Sequence, residues 1–295
     1  MKTFFMKALM FGTRVTGIWF MRAVAWLISC GYFLFHQKRV KASMELYGAI
    51  FPGRSALFYR SCVWKQFQDF SASYSDRINL HKGGDVKFIE EGWEHFEKAS
   101  NEGTGGIVIM SHVGNWEIAA RLHRRRGLKI LAVMGERGPK QVASLQREDM
   151  KADGLEVLLS SEGAGSPFDG LEALEFLDEG GFVGMAGDFS WAKGPKSEKA
   201  VLFGHEVFLP VAPHMMALLS GAPIFTFFAF RTGRNKYFVI ISKPRWVNAE
   251  SKAERKAAIH QSVQEYAREL EEAVLRFPWQ WHVFEPILGP PVSEG

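Results

Sequence analysis

From about residue 85 the chain alternates between short apolar runs and longer segments with helical periodicity, and this alternation limits the folds it can adopt. Short apolar runs bounded by glycine or polar residues are typical of buried strands. We predict strands at 86–89, 106–110, 129–134, 156–160, 182–187, 224–230 and 236–242. We predict helices at 91–101, 115–126, 139–152, 168–179, 211–220 and 250–277. The pattern indicates an α/β fold with a mixed, largely parallel sheet flanked by helices, closed by an antiparallel pair at 224–242.

The strand at 106–110 leads into a polar segment, Ser111-His112-Val113-Gly114-Asn115-Trp116-Glu117. A histidine at the carboxyl end of a strand and a carboxylate near the start of the next helix can meet across the intervening turn. This is the geometry of a general base whose second ring nitrogen is oriented by an acid. We therefore predict His112 as a general base and Glu117 as its partner. A structural histidine that caps the following helix is the alternative.

Two further polar residues follow predicted strands. Asp188 comes after the strand at 182–187, and Arg137 follows the strand that ends at Met134. Open α/β sheets bind ligands at the carboxyl ends of their strands, so we expect these residues to converge with His112 as substrate-binding groups. The backbone amides of Gly114 and Asn115, or the Arg137 cation, would stabilise an oxyanion.

The sequence contains no catalytic serine or cysteine elbow. Ser111 lies beside His112 but has no GxSxG surroundings. We therefore expect His112 to deprotonate a hydroxyl or amine nucleophile. Activation of the substrate's own hydroxyl fits direct acyl transfer without a covalent enzyme intermediate. His112 and Glu117 lack the HExxH spacing and Cys30 and Cys62 form no CxxC pair, so we predict no metal site.

Residues 1–36 are rich in aromatic and aliphatic side chains, and Lys7, Arg14 and Arg22 fall on one side of a helix drawn through them. Nine basic residues and one acid occur through Arg60. This composition predicts a membrane-anchoring helix, lying in the interface or partly inserted in preference to a full span. A long core helix is the alternative. Residues 37–84 are predicted to be helical and to pack on the core, and 85–295 to form the α/β domain.

Motifs spread over nearly the whole chain resemble those of one enzyme family. Ser111 to Glu117 is similar to the His-x4-Asp/Glu motif of the lysophospholipid acyltransferase superfamily, in the HX4E form found in the lipid A lauroyl/myristoyl acyltransferase family. Other similar elements are Gly187-Asp188, Phe203-Gly204, Leu209-Pro210-Val211-Ala212, Ala222-Pro223-Ile224 and Arg276-Phe277-Pro278-Trp279-Gln280-Trp281.

The resemblance implies a glycerolipid acyltransferase-like fold and an enzyme at the cytoplasmic face of the bacterial inner membrane. It implies His112 as base with Glu117 as partner, and Arg137 and Asp188 as substrate-binding residues. The acyl donor would be a thioester of acyl carrier protein or coenzyme A, a co-substrate and not a bound cofactor. The acceptor would be a hydroxyl of a glycolipid such as a lipid A precursor.

Several alternatives to this function stay open. The acceptor could equally be an aminolipid, a phosphoglycolipid or an aryl polyene pigment. A thioester hydrolase would use the same residues with water in place of the lipid. A non-catalytic lipid-binding protein would need no base, and no interpretation of the sequence calls for a nucleic acid.

Overall fold

The structure, a computed structural model, describes residues 18–81, 85–117, 122, 126–135, 156–160, 167–189 and 196–292. Its helices are α1 Ile18–Phe35, α2 Gln37–Ile50, α3 Ala56–His81, α4 Trp93–Asn101, α5 Pro167–Asp178, α6 Ala212–Ser220, α7 Arg255–Arg276 and a 3₁₀ turn Pro278–Gln280. Its strands are β1 Lys87–Glu91, β2 Gly106–Gly114, β3 Ile130–Gly135, β4 Glu156–Ser160, β5 Phe182–Ala186, β6 Ser197–Leu202, β7 His205–Pro210, β8 Ile224–Gly233 and β9 Lys236–Ile241.

Seven strands form one mixed sheet in the order β1-β9-β8-β2-β5-β3-β4. Only the β8–β9 pair is antiparallel, and every other neighbouring pair is parallel. This confirms the predicted α/β class, the largely parallel sheet and the antiparallel pair at 224–242. β2 lies at the centre, with β8 on one side and β5 on the other.

Side chains of β2 alternate between two hydrophobic cores, as the two-residue period of a strand requires. Ile107 and Ile109 face the core that includes α7 and α3, whereas Val108 faces the core built around Phe96 of α4. All three side chains are buried. With both faces covered, the strand reads as a continuous apolar run.

Helix α3 links the sheet to the amino-terminal helices. Phe67 of α3 is buried in the core, and Ser29 of α1 donates a hydrogen bond to its carbonyl. Phe33 of α1 meets the rings of Trp64 and Phe67 edge-on. The helices predicted within 37–84 are thus present, and α3 packs against the core.

The predicted anchoring segment 1–36 is described only from residue 18. Helix α1 presents large apolar side chains on its outer surface, including Trp19, Leu27, Leu34 and Phe35. In the described ranges, we find no helix with the length and apolar character that a bilayer crossing requires.

Two differences from the predicted elements are seen in the described residues, and one predicted helix falls outside them. The β6–β7 hairpin was not predicted, although its strands are paired antiparallel over their whole length. The helix predicted at 115–126 is observed at residues 116, 117 and 122, Asn115 and Arg126 are not helical, and 118–121 and 123–125 lie outside the described residues. The helix predicted at 139–152 also lies outside them.

Candidate active site

The end of β2 leaves the regular ladder of the sheet. β2 pairs with β5 up to Met110, which lies opposite Ala186, and its register with β8 shifts beyond Met110. After β5 the chain continues alongside β2, because the N–H of Gly187 donates to the carbonyl of Met110 at 2.9 Å. His112 and Asp188 therefore come side by side at the carboxyl edge of the sheet, as the sequence predicted.

Close approach of these two segments requires glycine at position 187. A Cβ atom there would lie 2.2 Å from Cγ2 of Ile109 and 3.0 Å from the ring of Tyr266. The first distance is far inside van der Waals contact. A side chain at position 187 would therefore force the buried side chain of Ile109 or the backbone beside β2 to shift.

The carboxylate of Asp188 holds His112 at two points. Its Oδ2 accepts the main-chain N–H of His112 at 2.8 Å, and its Oδ1 lies 2.9 Å from Nδ1 of the imidazole. The Asp188 side chain is fully buried, whereas that of His112 is 47% exposed. One edge of the imidazole is thus fixed by the protein while much of the ring is open to solvent.

Electrostatics couple the two side chains. The charge of Asp188 is the largest effect on His112 and raises its pKa, against the opposing effect of burial. Burial alone would raise the pKa of Asp188, but the charge of His112 and hydrogen bonds from His112 and Trp281 hold that pKa below its usual value. The pair is therefore stable as an imidazolium with a carboxylate, and the imidazole is a stronger base than an ordinary histidine.

The hydrogen bond at Nδ1 also decides which nitrogen can react. An ionised carboxylate only accepts, so Nδ1 of His112 carries a proton and donates to Asp188. In the neutral ring the lone pair then belongs to Nε2. The arrangement can take a proton from a hydroxyl group or a water molecule at Nε2 and stabilise the resulting charge.

This geometry changes the roles expected for two carboxylates. The sequence predicted Glu117 as the acid that orients the imidazole and Asp188 as a substrate-binding residue. The structure instead gives the Nδ1 position to Asp188, whose buried carboxylate is occupied by protein donors. Glu117 lies half-buried in the turn of helix after β2, and its charge also raises the pKa of His112, though less than that of Asp188.

Gly114 and Asn115 stabilise the turn at the end of β2 by close packing and hydrogen bonds. Gly114 has φ +73°, and a Cβ atom there would lie 2.0 Å from the carbonyl oxygen of Ala229. The N–H of Asn115 donates to that same carbonyl at 2.7 Å, and its side-chain amide donates to the carbonyl of Ser73 at 3.3 Å. The backbone amide of Asn115 is therefore not free to bind an oxyanion, which corrects that part of the prediction.

Two further predictions concern Arg137 as a substrate-binding residue and the lack of a metal site. Arg137 lies outside the described residues, so its convergence with His112 stays a prediction. Across the described ranges there is no group of three or more histidine, cysteine, aspartate or glutamate side chains placed to hold a metal ion.

Sequence reasoning missed the contribution of Trp281. In the sequence this residue stands out only as the last member of the segment Arg276-Phe277-Pro278-Trp279-Gln280-Trp281. Its indole is fully buried, and Nε1 donates to Oδ2 of Asp188 at 2.8 Å. The only available signal was the general need of a buried tryptophan N–H for an acceptor, which does not identify the partner.

A second buried aspartate, Asp76 of α3, ties the helices to the sheet near this site. It accepts hydrogen bonds from Arg22 of α1 at 3.2 Å, from Arg231 of β8 at 2.8 Å and from the hydroxyl of Tyr237 at 3.3 Å. Its side chain is fully buried. The turn that contains Asn115 contacts the same helix one turn earlier, at the carbonyl of Ser73.

Comparison with known proteins identifies the family. The model of the bacterial lipid A biosynthesis acyltransferases matches residues 13–288, which is most of the chain. The chain belongs to this family. As a lipid A biosynthesis acyltransferase family member it is an acyltransferase, and the matched region contains His112, Asp188 and Trp281. No curated protein matches the sequence significantly.

Proposed function

We propose that this acyltransferase moves a fatty acyl chain from an acyl thioester, on acyl carrier protein or coenzyme A, to a hydroxyl of a glycolipid. A lipid A precursor is the acceptor we propose, in keeping with the family. The observation that carries the proposal is the half-exposed imidazole of His112, which is held at Nδ1 by a buried carboxylate in a chain of this family.

The proposed chemistry follows from that arrangement. Nε2 of His112 takes the proton of the acceptor hydroxyl as its oxygen attacks the thioester carbonyl carbon. Asp188 stabilises the imidazolium that forms. When the tetrahedral intermediate collapses, the carbon–sulfur bond breaks, and the imidazolium returns the proton to the departing thiolate. An ester and a free thiol result, and no covalent enzyme intermediate is formed.

Three other groups take part in the proposed reaction. Glu117 adds negative charge near His112 and thereby favours the imidazolium. The amide of Gly114 and the Arg137 side chain are the proposed oxyanion partners, as the sequence suggested. No bound cofactor takes part, since the acyl thioester is a co-substrate.

The outer surface of α1 supports a membrane location, which we propose to be the cytoplasmic face of the bacterial inner membrane. Phe35 is 82% exposed and Leu27 60% exposed, in a helix whose opposite side packs on α3 through Phe33 and Ser29. An exposed apolar helix face is typical of helices that lie in a membrane interface, although Arg22, predicted on the basic side of this segment, pairs with the buried Asp76. A lipid hydroxyl could then reach the enzyme from the bilayer surface.

The proposed transfer is tested with the purified full chain in vesicles that contain a lipid A precursor and either acyl thioester. Mass spectrometry measures the acylated lipid, and a thiol reagent measures the released carrier. We expect His112→Gln to lower transfer by at least about 10²-fold, the scale of general-base catalysis. His260→Gln is the matched control, because His260 lies on the exposed part of α7 and pairs with Glu198.

Each outcome of that assay separates one alternative. Thiol release at the full rate without acceptor lipid would identify a hydrolase. Lipid binding without thiol release would identify a binding protein. Equal transfer by the wild type and His112→Gln would refute the general-base mechanism, and transfer to an aminolipid or phosphoglycolipid alone would replace the proposed acceptor.

The membrane location is tested by flotation with vesicles that contain anionic lipid. We expect the double variant Leu27→Ser and Phe35→Ser to float less than the wild type, because it removes apolar area from the outer face of α1. Ile89→Ser is the matched control, since Ile89 is equally apolar and exposed on β1. Unchanged flotation of the double variant would show that α1 does not provide the attachment.

A further inference from the structure

The segment that follows α7 runs antiparallel to the end of β2. Trp281 forms an isolated bridge with Val113, and the N–H of His282 donates to the carbonyl of His112 at 2.9 Å. β2 has by this point left its ladder with β5. The carboxyl-terminal segment thus takes over as the hydrogen-bonding partner of the main chain at His112.

The indole of Trp281 completes the surroundings of Asp188. Its Nε1 donates to Oδ2 at 2.8 Å, the same oxygen that accepts the main-chain N–H of His112. The other oxygen, Oδ1, faces Nδ1 of His112. A fully buried carboxylate needs such donors to remain ionised, because burial without them favours the neutral acid. Trp281 supplies the one donor among these three that does not come from His112.

The segment that carries Trp281 is itself held from two sides. Gln66 of α3 donates to the carbonyl of Trp281 at 2.5 Å and to that of Val283 at 3.3 Å. The side chain of Gln280 bonds both the N–H and the carbonyl of Arg231 at 2.7 Å. The main chain that carries Trp281 is therefore fixed by contacts to α3 and β8, and the indole is fully buried where its N–H meets Asp188.

We propose that Trp281 is a positioning residue for the reaction: its indole N–H fixes the carboxylate of Asp188 against His112, while the N–H of His282 fixes the main chain of His112. Trp281 touches neither substrate nor the reacting nitrogen and acts through Asp188. The expected effect on acyl transfer rests on the proposed function, but the effect on the imidazole of His112 does not.

The neighbouring Trp279 provides a matched comparison. Its ring is half-buried and lies 4.2 Å from the ammonium of Lys65, and its Nε1 has no hydrogen-bond partner among the described residues. Replacing Trp279 by phenylalanine removes a similar volume but no hydrogen bond. Replacing Trp281 by phenylalanine removes the donor to Asp188. A third protein with 3-benzothienylalanine at position 281 keeps the ring shape and replaces only the N–H by sulfur.

The test is an NMR titration of the full chain in lipid nanodiscs with ¹⁵N-labelled histidine, in which the spectrum of His112→Gln assigns the His112 signals. We expect both changes at position 281 to move the titration midpoint of His112 by on the order of half a pH unit or more. The midpoint moves upward if Asp188 stays in place with its charge less compensated, and downward if the carboxylate turns away. Trp279→Phe keeps the wild-type midpoint.

Transfer kinetics provide the second readout. We expect Trp281→Phe to lower kcat by about tenfold to a hundredfold, the value of one hydrogen bond to a charged group, with little change in KM. An unshifted His112 midpoint in the benzothienylalanine protein, or an equal shift in Trp279→Phe, would overturn the positioning role. If the wild type transfers no acyl group but the titration behaves as expected, the proposed function fails and the role of Trp281 stands.

Discussion

Asp188 and Asp76 are both fully buried carboxylates that join distant parts of the chain, but they hold different partners. Asp188 joins the end of β2 to the carboxyl-terminal segment and faces the imidazole of His112, which is half exposed. Asp76 joins α1 and α3 to the sheet and faces the guanidinium groups of Arg22 and Arg231.

The partner decides what each carboxylate can do. Asp76 keeps Arg231 charged, since its hydrogen bond and charge raise the pKa of that guanidinium although burial would lower it. An arginine does not release its proton at any physiological pH, so the ion pairs of Asp76 with Arg22 and Arg231 have a structural role. Asp188 raises the pKa of a group that does titrate near neutrality, and its joint can therefore accept and return a proton.

The largest difference between the two joints should be in catalysis. We expect Asp188→Asn to lower acyl transfer per folded molecule by about 10³-fold, because an amide that donates to Nδ1 forces the wrong tautomer of His112. Steady-state kinetics with the lipid acceptor measure this, alongside circular dichroism as a check on folding. Transfer by Asp188→Asn within about tenfold of the wild type would remove Asp188 from the mechanism.

Replacing Asp76 should lower the stability of the protein and leave its catalytic activity largely unchanged. Asp76→Asn leaves two arginines without their buried counter-charge, and we expect the free energy of unfolding to fall by about 3 kcal/mol. Turnover per folded molecule should stay close to that of the wild type. Denaturant unfolding in detergent and kinetics on the folded fraction test the two statements. If Asp76→Asn lost transfer as severely as Asp188→Asn without losing stability, the distinction between the joints would be wrong.

The sequence predicted elements whose local pattern agrees with their place in the fold. β2, β5 and β8 are buried on both faces and read as apolar runs, and α7 follows from its helical periodicity. The β6–β7 hairpin lacked such a signal. Its first strand, Ser197–Leu202, has charged residues at its second and third positions. Its turn places Phe203 at φ +50°, where asparagine or glycine is the usual signal.

The sequence predicted where the site lies in the sheet, but not which side chains form hydrogen bonds within it. His112 and Asp188 were both placed at strand ends, yet the pairing of β2 with β5 joins residues 76 positions apart. Glu117 is close to His112 in sequence and was therefore the natural choice of partner. Which carboxylate reaches Nδ1 depends on strand order and on glycine at position 187, and neither is encoded in local spacing. The bond from Trp281 spans 93 positions and has the same origin.

Glu117 also affects His112, but by its charge alone, because Nδ1 of His112 bonds Asp188. The charge of Asp188 is the largest cause of the raised pKa of His112, and that of Glu117 acts in the same direction with less weight. A base works only when deprotonated, so activity falls as the pH drops through the pKa of His112. We therefore expect the acid limb of kcat/KM in the wild type to lie above about pH 6.5, the ordinary histidine value.

Replacing Glu117 by glutamine removes its charge and lowers the pKa of His112. The acid limb should then move to lower pH, and transfer should fall by no more than about 10²-fold, less than in Asp188→Asn. Glu102→Gln is the matched control, because Glu102 is exposed and pairs with Lys98 on α4. A limb that stays in place would show that the charge of Glu117 does not reach the imidazole. If Glu117→Gln lost more acyl transfer than Asp188→Asn, Glu117 would be the principal partner of His112. Proton uptake by His112 would then depend more on the charge of Glu117 than on the hydrogen bond at Nδ1.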